Sequence, residues 1–177
     1  LARRRAGERW LLHQFHVPAV EAAAGADSWL LRRNAANTVR LQRWAAARAD
    51  AIVSVSDDDA DRLGGRAGVV VPNGADPGIA STPLPSEPRV VVTGSLDFPP
   101  NADGVRWLID AVWPAVRSAA PAAVLEVVGR RPPPSLVAAA GNAEGVTVVG
   151  DVPSALDHLR RARVAVVPVR FGSGTRI

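Results

Sequence analysis

The sequence predicts an α/β protein with a doubly wound parallel sheet, Rossmann-like in plan, preceded by the tail of a first domain. Three observations carry that prediction. From Arg89 onward, short Val-rich runs alternate with helical stretches, and repeated strand–helix–strand units imply right-handed crossovers and a parallel sheet covered on both faces. Each run stops at a glycine or a glycine-bearing loop, at Gly94, Gly129, Gly150 and, behind Arg170, Gly172. Ahead of them, residues 77–88 turn to Pro, Ser and Thr without apolar periodicity, which is linker composition. The expected division is therefore 1–76, a linker over 77–88, and a regular domain over 89–177.

Composition bounds the rest. In 177 residues, 47% apolar content suffices for a packed core, and all 21 basic residues are Arg, set against 17 acids for a formal charge of +4. That excess is scattered and is not interleaved with aromatics, so nucleic acid is not an expected partner. With no Cys, disulfides and thiolate metal sites are excluded and a reducing compartment is allowed. No apolar run reaches the roughly 20 residues that span a bilayer. A first residue of Leu1 and a last strand without its helix lead us to expect a fragment of a longer protein.

Taken in order, Leu1 to Gly25 opens on Arg3, Arg4 and Arg5 and continues through Trp10, Leu11, Leu12 and Phe15. It reads as a helix that either packs its apolar face on a domain, the preferred reading, or lies basic side out on a membrane surface. His13 and His16 sit three apart on that expected helix, a spacing for two metal ligands, but no third ligand is identifiable and ordinary histidines are the preferred reading. A long amphipathic helix is expected over Ser28 to Ala49, a strand over Ala51 to Val55, and a short helix capped by Ser56 with Asp57, Asp58 and Asp59 in its first turn. Contiguous aspartates suit capping rather than a cation loop, which needs alternate spacing. A strand over Gly68 to Val71 then closes in the turn Pro72-Asn73-Gly74-Ala75-Asp76.

After the linker, strands are expected at Val90–Thr93, Val124–Val128, Val146–Val149 and Val164–Val169, the last buried on both faces. Between them, Val105, Leu108, Ile109, Val112 and Val116 form a core-facing stripe on a helix over about Ala102 to Ser118, which Pro114 should kink or restart. Ser135–Ala140 and Pro153–Ala162 supply two further helices. Asp157 and His158 are adjacent on the second and read as surface.

Ligands of open parallel sheets bind beyond the carboxyl ends of the strands. Those ends are Gly94-Ser95-Leu96-Asp97-Phe98-Pro99-Pro100-Asn101, Gly129-Arg130-Arg131, Gly150-Asp151-Val152 and Arg170-Phe171-Gly172-Ser173-Gly174-Thr175-Arg176. Glycines that let a ligand approach the backbone, with arginines on the same rim, point to a ligand carrying phosphates. No G-x-G-x-x-G, GKS or GKT sequence follows a strand, which disfavours a standard NAD domain and a P-loop NTPase. Ser173 lacks a nucleophile elbow and an oriented His.

Three stretches in this order resemble family 4 glycosyltransferases, also called group 1: Ala49-Asp50-Ala51-Ile52-Val53-Ser54-Val55-Ser56, Val71-Pro72-Asn73-Gly74-Ala75-Asp76, and Gly172-Ser173-Gly174-Thr175-Arg176-Ile177. The resemblance implies two facing Rossmann-like domains (the GT-B arrangement), with 89–177 as most of the donor-binding domain and 1–76 as the end of the acceptor-side domain. It implies a retaining transferase that moves a sugar from a nucleotide-diphosphate sugar to an unknown acceptor, a glycan or a lipid-linked group. No metal or other cofactor is implied. The implied location is cytoplasmic, with peripheral membrane contact compatible with the basic start. Gly94, Ser95 and the loop through Asn101 would lie near the donor phosphates, Gly129, Arg130, Gly150 and Val152 near the nucleoside, and Gly172, Ser173, Gly174, Thr175 and Arg176 at the diphosphate and sugar.

The chain also departs from the family pattern. Many members carry an Arg and a Lys just after the first strand, where this chain has Ser95-Leu96-Asp97 and no Lys anywhere. Of the family's E-x7-E pair, the first acid would fall near Ser173 and the second beyond Ile177, so catalytic residues are not assigned and the fragment alone is expected to be inactive. Phosphate charge would then rest on Arg176, Arg170 and helix N-termini. The alternative reading is a non-catalytic Rossmann-like binding or scaffolding module that keeps the fold.

Overall fold

A computed structural model describes residues 9–14, 29–62, 68–74 and 83–171. The chain forms two compact units, one carrying the first three strands and the other spanning Pro77–Arg170. In the first, β1 (Leu11–Gln14), β2 (Ala51–Ser54) and β3 (Val69–Val70) make a parallel sheet in the order β1-β2-β3. Helix α1 (Trp29–Ala46) leads into β2, and Ala46 packs with Ile52, Leu12 and Ala49 in a small core. Helix α2 (Asp57–Arg62) begins as expected: the Ser56 hydroxyl accepts from the Asp59 N–H at 3.2 Å and donates to the Asp59 carboxylate at 2.9 Å.

One expectation fails here. Leu11–Gln14 is a strand, not part of a helix, because its four residues pair in parallel register with Ala51–Ser54. A run as short as Leu-Leu-His-Gln carries too little periodicity to distinguish the two, so the distant partner strand decides. His13 therefore sits on a strand and not on the helix that would have offered it to a metal beside His16; His16 and the remainder of Leu1–Gly25 lie outside the described residues, apart from Arg9 and Trp10.

In the second unit, β4 (Arg89–Thr93), β5 (Val124–Gly129), β6 (Val146–Gly150) and β7 (Val164–Ala165) form a wholly parallel sheet in the order β6-β5-β4-β7. The order runs outward from β4 to β6 and then reverses to β7, the doubly wound pattern. Alternation along the central strands sends residues to two cores. Val92, Leu125 and Val127 face Val105, Leu108, Ile109, Trp113, Leu136 and Ala140, while Val91 and Val128 face Ala162, Ala155 and Leu159. Both faces are thus covered, as the repeating pattern requires.

The long helix is broken where proline predicts. Helix α3 (Pro99–Trp107) runs into a π-helical turn at Leu108–Val112, and α4 (Trp113–Ala119) restarts behind it. Pro114 has no N–H to give the carbonyl four residues back, and the Trp113 N–H donates to Leu108 O, five residues back. The predicted stripe holds, with Val105, Leu108 and Ile109 buried and Val112 and Val116 packed against the same core. Trp113, not foreseen, is buried there too and donates its indole N–H to Glu144 O at 2.9 Å.

Helix α5 (Pro134–Gly141) matches its expected span, and α6 (Leu156–Arg160) is shorter than the run from Pro153 to Ala162 suggested. The expected strand over Val164–Val169, buried on both faces, is corrected. Only Val164 and Ala165 pair, and Val164 and Val167 are 48% and 63% exposed, because β7 lies at the sheet's edge with β4 as its one neighbour among the described residues. Of the expected linker, 77–82 lies outside the described residues, and 83–88 has no regular structure. Its end is tied to the second unit: Pro85 O accepts from Arg163 at 3.0 Å and Pro88 O from the Val124 N–H at 3.1 Å.

Candidate functional site

The carboxyl ends of β4 and β5 open into a cavity of about 320 Å³. Gly94, Ser95, Gly129, Arg130 and Val152, all singled out from the sequence, line it, together with Thr93, Val128 and Ala155. Thr93 and Val128 stand one place before the strand-ending glycines, so the same rule reaches them. Ala155 comes from the approach to α6 and had no signal in the sequence.

Gly129 is required by close approach. A Cβ on Gly129 would lie 1.9 Å from Gly94 O and 2.8 Å from Leu96 Cγ, so the first two strand ends press together with no room for a side chain. The loops are then stitched: the Gly94 N–H donates to Val128 O at 3.1 Å and the Leu96 N–H to Arg130 O at 2.9 Å. Asn101 braces this corner from below, its side-chain amide donating to Ser95 O at 3.0 Å. Gly150 ends β6 and does not line the cavity; a Cβ added to it would meet Pro132 at an ordinary 3.6 Å. Asp151 and Arg131, the residues just past two strand ends, hold left-handed φ angles of 46° and 50°.

Charge on the rim is unevenly committed. Arg131 pairs with Asp97 at 2.6 Å. Arg170 makes a two-point contact with Asp103, Nε to Oδ2 at 2.9 Å and Nη2 to Oδ1 at 3.3 Å, and its guanidinium lies 5.9 Å from the Trp107 ring centre. Arg130 reaches across to the Ser95 hydroxyl at 3.2 Å. Gly172, Ser173, Gly174, Thr175 and Arg176 lie outside the described residues.

His158 is corrected. Rather than lying at the surface with Asp157, it is 14% exposed and its Nδ1 is 3.0 Å from Glu126 Oε2 on β5. Glu126 also meets Arg89 at 3.5 Å. This trio fastens α6 to the sheet away from the cavity mouth. In the first unit a separate cavity of about 340 Å³ is lined largely by apolar groups, among them Trp10, Leu12 and Trp44. Among the described residues, no three His, Asp or Glu side chains gather at one point, and no helix is long and apolar enough to cross a membrane.

A parallel sheet in this order with a cavity at its carboxyl rim fits many ligand-binding proteins, and sequence comparison decides among them. The family model for glycosyl transferases group 1 matches residues 87–177, slightly more than half of the chain. The chain belongs to the group 1 glycosyl transferases. Among solved structures, the fold matches that of TarM with a TM-score of 0.69 at 13% identity, over 94% of this chain and 33% of TarM. A mutant of S. aureus TarM, crystallised with fondaparinux, alpha-GlcNAc-glycerol and UDP, matches with a TM-score of 0.65 at 11% identity, over 92% of this chain and 32% of that one. The chain spans about a third of the length of these structures. No curated protein matches it by sequence. The fold of this glycosyl transferase chain is therefore Rossmann-like, of the GT-B kind.

Proposed function

We infer that the Pro77–Arg170 unit carries the donor site of a retaining glycosyltransferase, which moves a sugar from a nucleotide-diphosphate sugar to a glycan or lipid-linked acceptor. The observation that carries this reading is the cavity at the carboxyl ends of β4 and β5. Its lining has one guanidinium, from Arg130, and no carboxylate. Membership of the transferase family supports it, as does the presence of UDP in the TarM mutant structure, whose fold is shared.

The chemical task of such a site is to stabilise a leaving nucleoside diphosphate as the glycosidic bond to the sugar breaks, and fixed positive charge and oriented N–H groups do this without a metal. Residues 94–95, 129–130 and 152 are assigned to the donor by position. Gly150, Asn101 and Arg170 act one step back, as strand end, loop brace and partner of Asp103. Gly172, Ser173, Gly174, Thr175 and Arg176 are assigned to diphosphate and sugar by family resemblance alone. The non-catalytic reading is favoured by the absence of any Arg or Lys in Ser95-Leu96-Asp97.

Isothermal titration with UDP, GDP and ADP, in the presence and absence of EDTA, tests the reading. One nucleotide is expected to bind with an affinity that EDTA leaves unchanged; no binding of any of the three removes the donor-site assignment. Release of free sugar from the matching nucleotide sugar then separates the enzyme from the binding module, which would bind without turnover.

A further inference from the structure

The helix after β4 is unable to hold an anion in the usual way. In doubly wound folds the backbone N–H groups at the start of that helix meet the phosphate. At α3 none is free. The Phe98 N–H donates to Ser95 O at 3.3 Å, Pro99 and Pro100 have no N–H, and the Asn101 N–H turns back to Phe98 O at 3.0 Å. Helix α5 likewise opens on Pro134 behind Pro132 and Pro133. Positive charge facing the rim from the α3 side therefore has to come from a side chain.

Of the arginines there, Arg131 and Arg170 are held by Asp97 and Asp103. Arg130 is different. Among the described residues it pairs with no carboxylate, and the contact it makes is with a neutral hydroxyl, Ser95 Oγ, at 3.2 Å. Both residues line the cavity. The backbone fixes the pair: Arg130 O is bonded to the Leu96 N–H at 2.9 Å, and the left-handed φ of 50° at Arg131 swings the chain so that consecutive arginines face Ser95 and Asp97 separately. A non-glycine residue keeps such an angle only where its surroundings enforce it.

We propose that Arg130 and Ser95 form an anion clamp, with Arg130 supplying the charge that the proline-started helix cannot. The guanidinium takes the phosphate groups of the ligand, and the Ser95 hydroxyl, now the acceptor of Arg130, turns its proton to a phosphate oxygen. That the phosphate belongs to a nucleoside diphosphate rests on the donor reading above; the clamp itself does not.

The probes are inorganic pyrophosphate, UDP, GDP and ADP, each titrated into the 177-residue chain and into Arg130→Gln, Arg130→Lys and Arg131→Gln variants. Arg130 and Arg131 are exposed, so thermal unfolding should stay at the wild-type midpoint. Arg130→Gln is expected to weaken pyrophosphate and the preferred nucleotide at least ~10-fold, the loss of a charge-assisted contact. Arg130→Lys should recover part of that, keeping charge without the planar fork. Arg131→Gln should stay within about 2-fold, since its charge is already neutralised. A nucleotide that binds wild type and Arg130→Gln equally overturns the clamp and leaves the donor site standing. Pyrophosphate binding that depends on Arg130, with no nucleotide bound, upholds the clamp and overturns the donor reading. No binding of any probe overturns both.

Discussion

Gly129→Ala will lower the stability of the second unit by about 3 kcal/mol or more and abolish ligand binding at the rim. The new Cβ would stand 1.9 Å from Gly94 O, a backbone atom at the end of the neighbouring strand, and 2.8 Å from Leu96 Cγ, whose side chain is fully buried. Neither can yield alone. Relief requires the ends of β4 and β5 to part, which breaks the Gly94–Val128 and Leu96–Arg130 backbone bonds that shape the cavity. Overpacking of this kind costs about 1–3 kcal/mol, and each lost bond about 1 kcal/mol more. In a unit of this size that corresponds to a midpoint lower by more than ~10 °C. A thermal midpoint within about 2 °C of wild type would show that the strand ends are not in contact as described.

The second large effect reverses an ordinary rule. Replacing a helical glycine with alanine normally stabilises by about 0.5–1 kcal/mol, because glycine loses more backbone freedom on folding. Gly104→Ala in α3 should instead destabilise by about 2–3 kcal/mol, as its Cβ would meet Pro168 O at 2.0 Å and Pro168 C at 2.8 Å, where the helix presses on the segment leaving β7. Gly141, the last residue of α5, has nothing within 4 Å of its Cβ and provides the control. Gly141→Ala should be neutral to slightly stabilising in the same unfolding experiment. Equal effects of the two substitutions would contradict the close packing of α3 on the sheet's edge.

How much of this was legible beforehand depended on the range over which each feature is decided. The strands β4, β5 and β6 and the Val105–Val116 stripe are written in local periodicity, and the interruption before Pro114 follows from a missing N–H, so the sequence contains them. The rim positions Gly94, Ser95, Gly129, Arg130 and Val152 followed from one topological rule about strand ends. Features set by distant partners were not visible. β1 became a strand because of residues 51–54, and β7 shrank to the two residues that pair with β4, its one neighbour among the described residues. His158 left the surface for Glu126, 32 positions away, and Arg170 found Asp103 at a separation of 67. Asn101, read as a donor-binding residue, gives its side-chain amide to the carbonyl of Ser95.

The donor-free start of α3 shows a related effect. Phe98-Pro99-Pro100 is plain in the sequence, yet its meaning emerges only when the Phe98 and Asn101 N–H groups are both seen to be consumed locally. The same segment removes the α3 backbone donors from the rim, and among the described residues that line the cavity Arg130, just past the neighbouring strand, is the one charged side chain. Family membership says what kind of chemistry to look for, and the side chains at this rim say which residues to test for it.

The measurement that tests this account most directly is a map of backbone amide shifts in the isotopically labelled chain as UDP, GDP or ADP is added. Shifts are predicted to concentrate at Gly94, Ser95, Gly129, Arg130 and Val152, with Arg130 among the largest. Shifts centred instead on the Trp10 and Trp44 cavity of the first unit, with the β4–β5 rim unmoved, would contradict it.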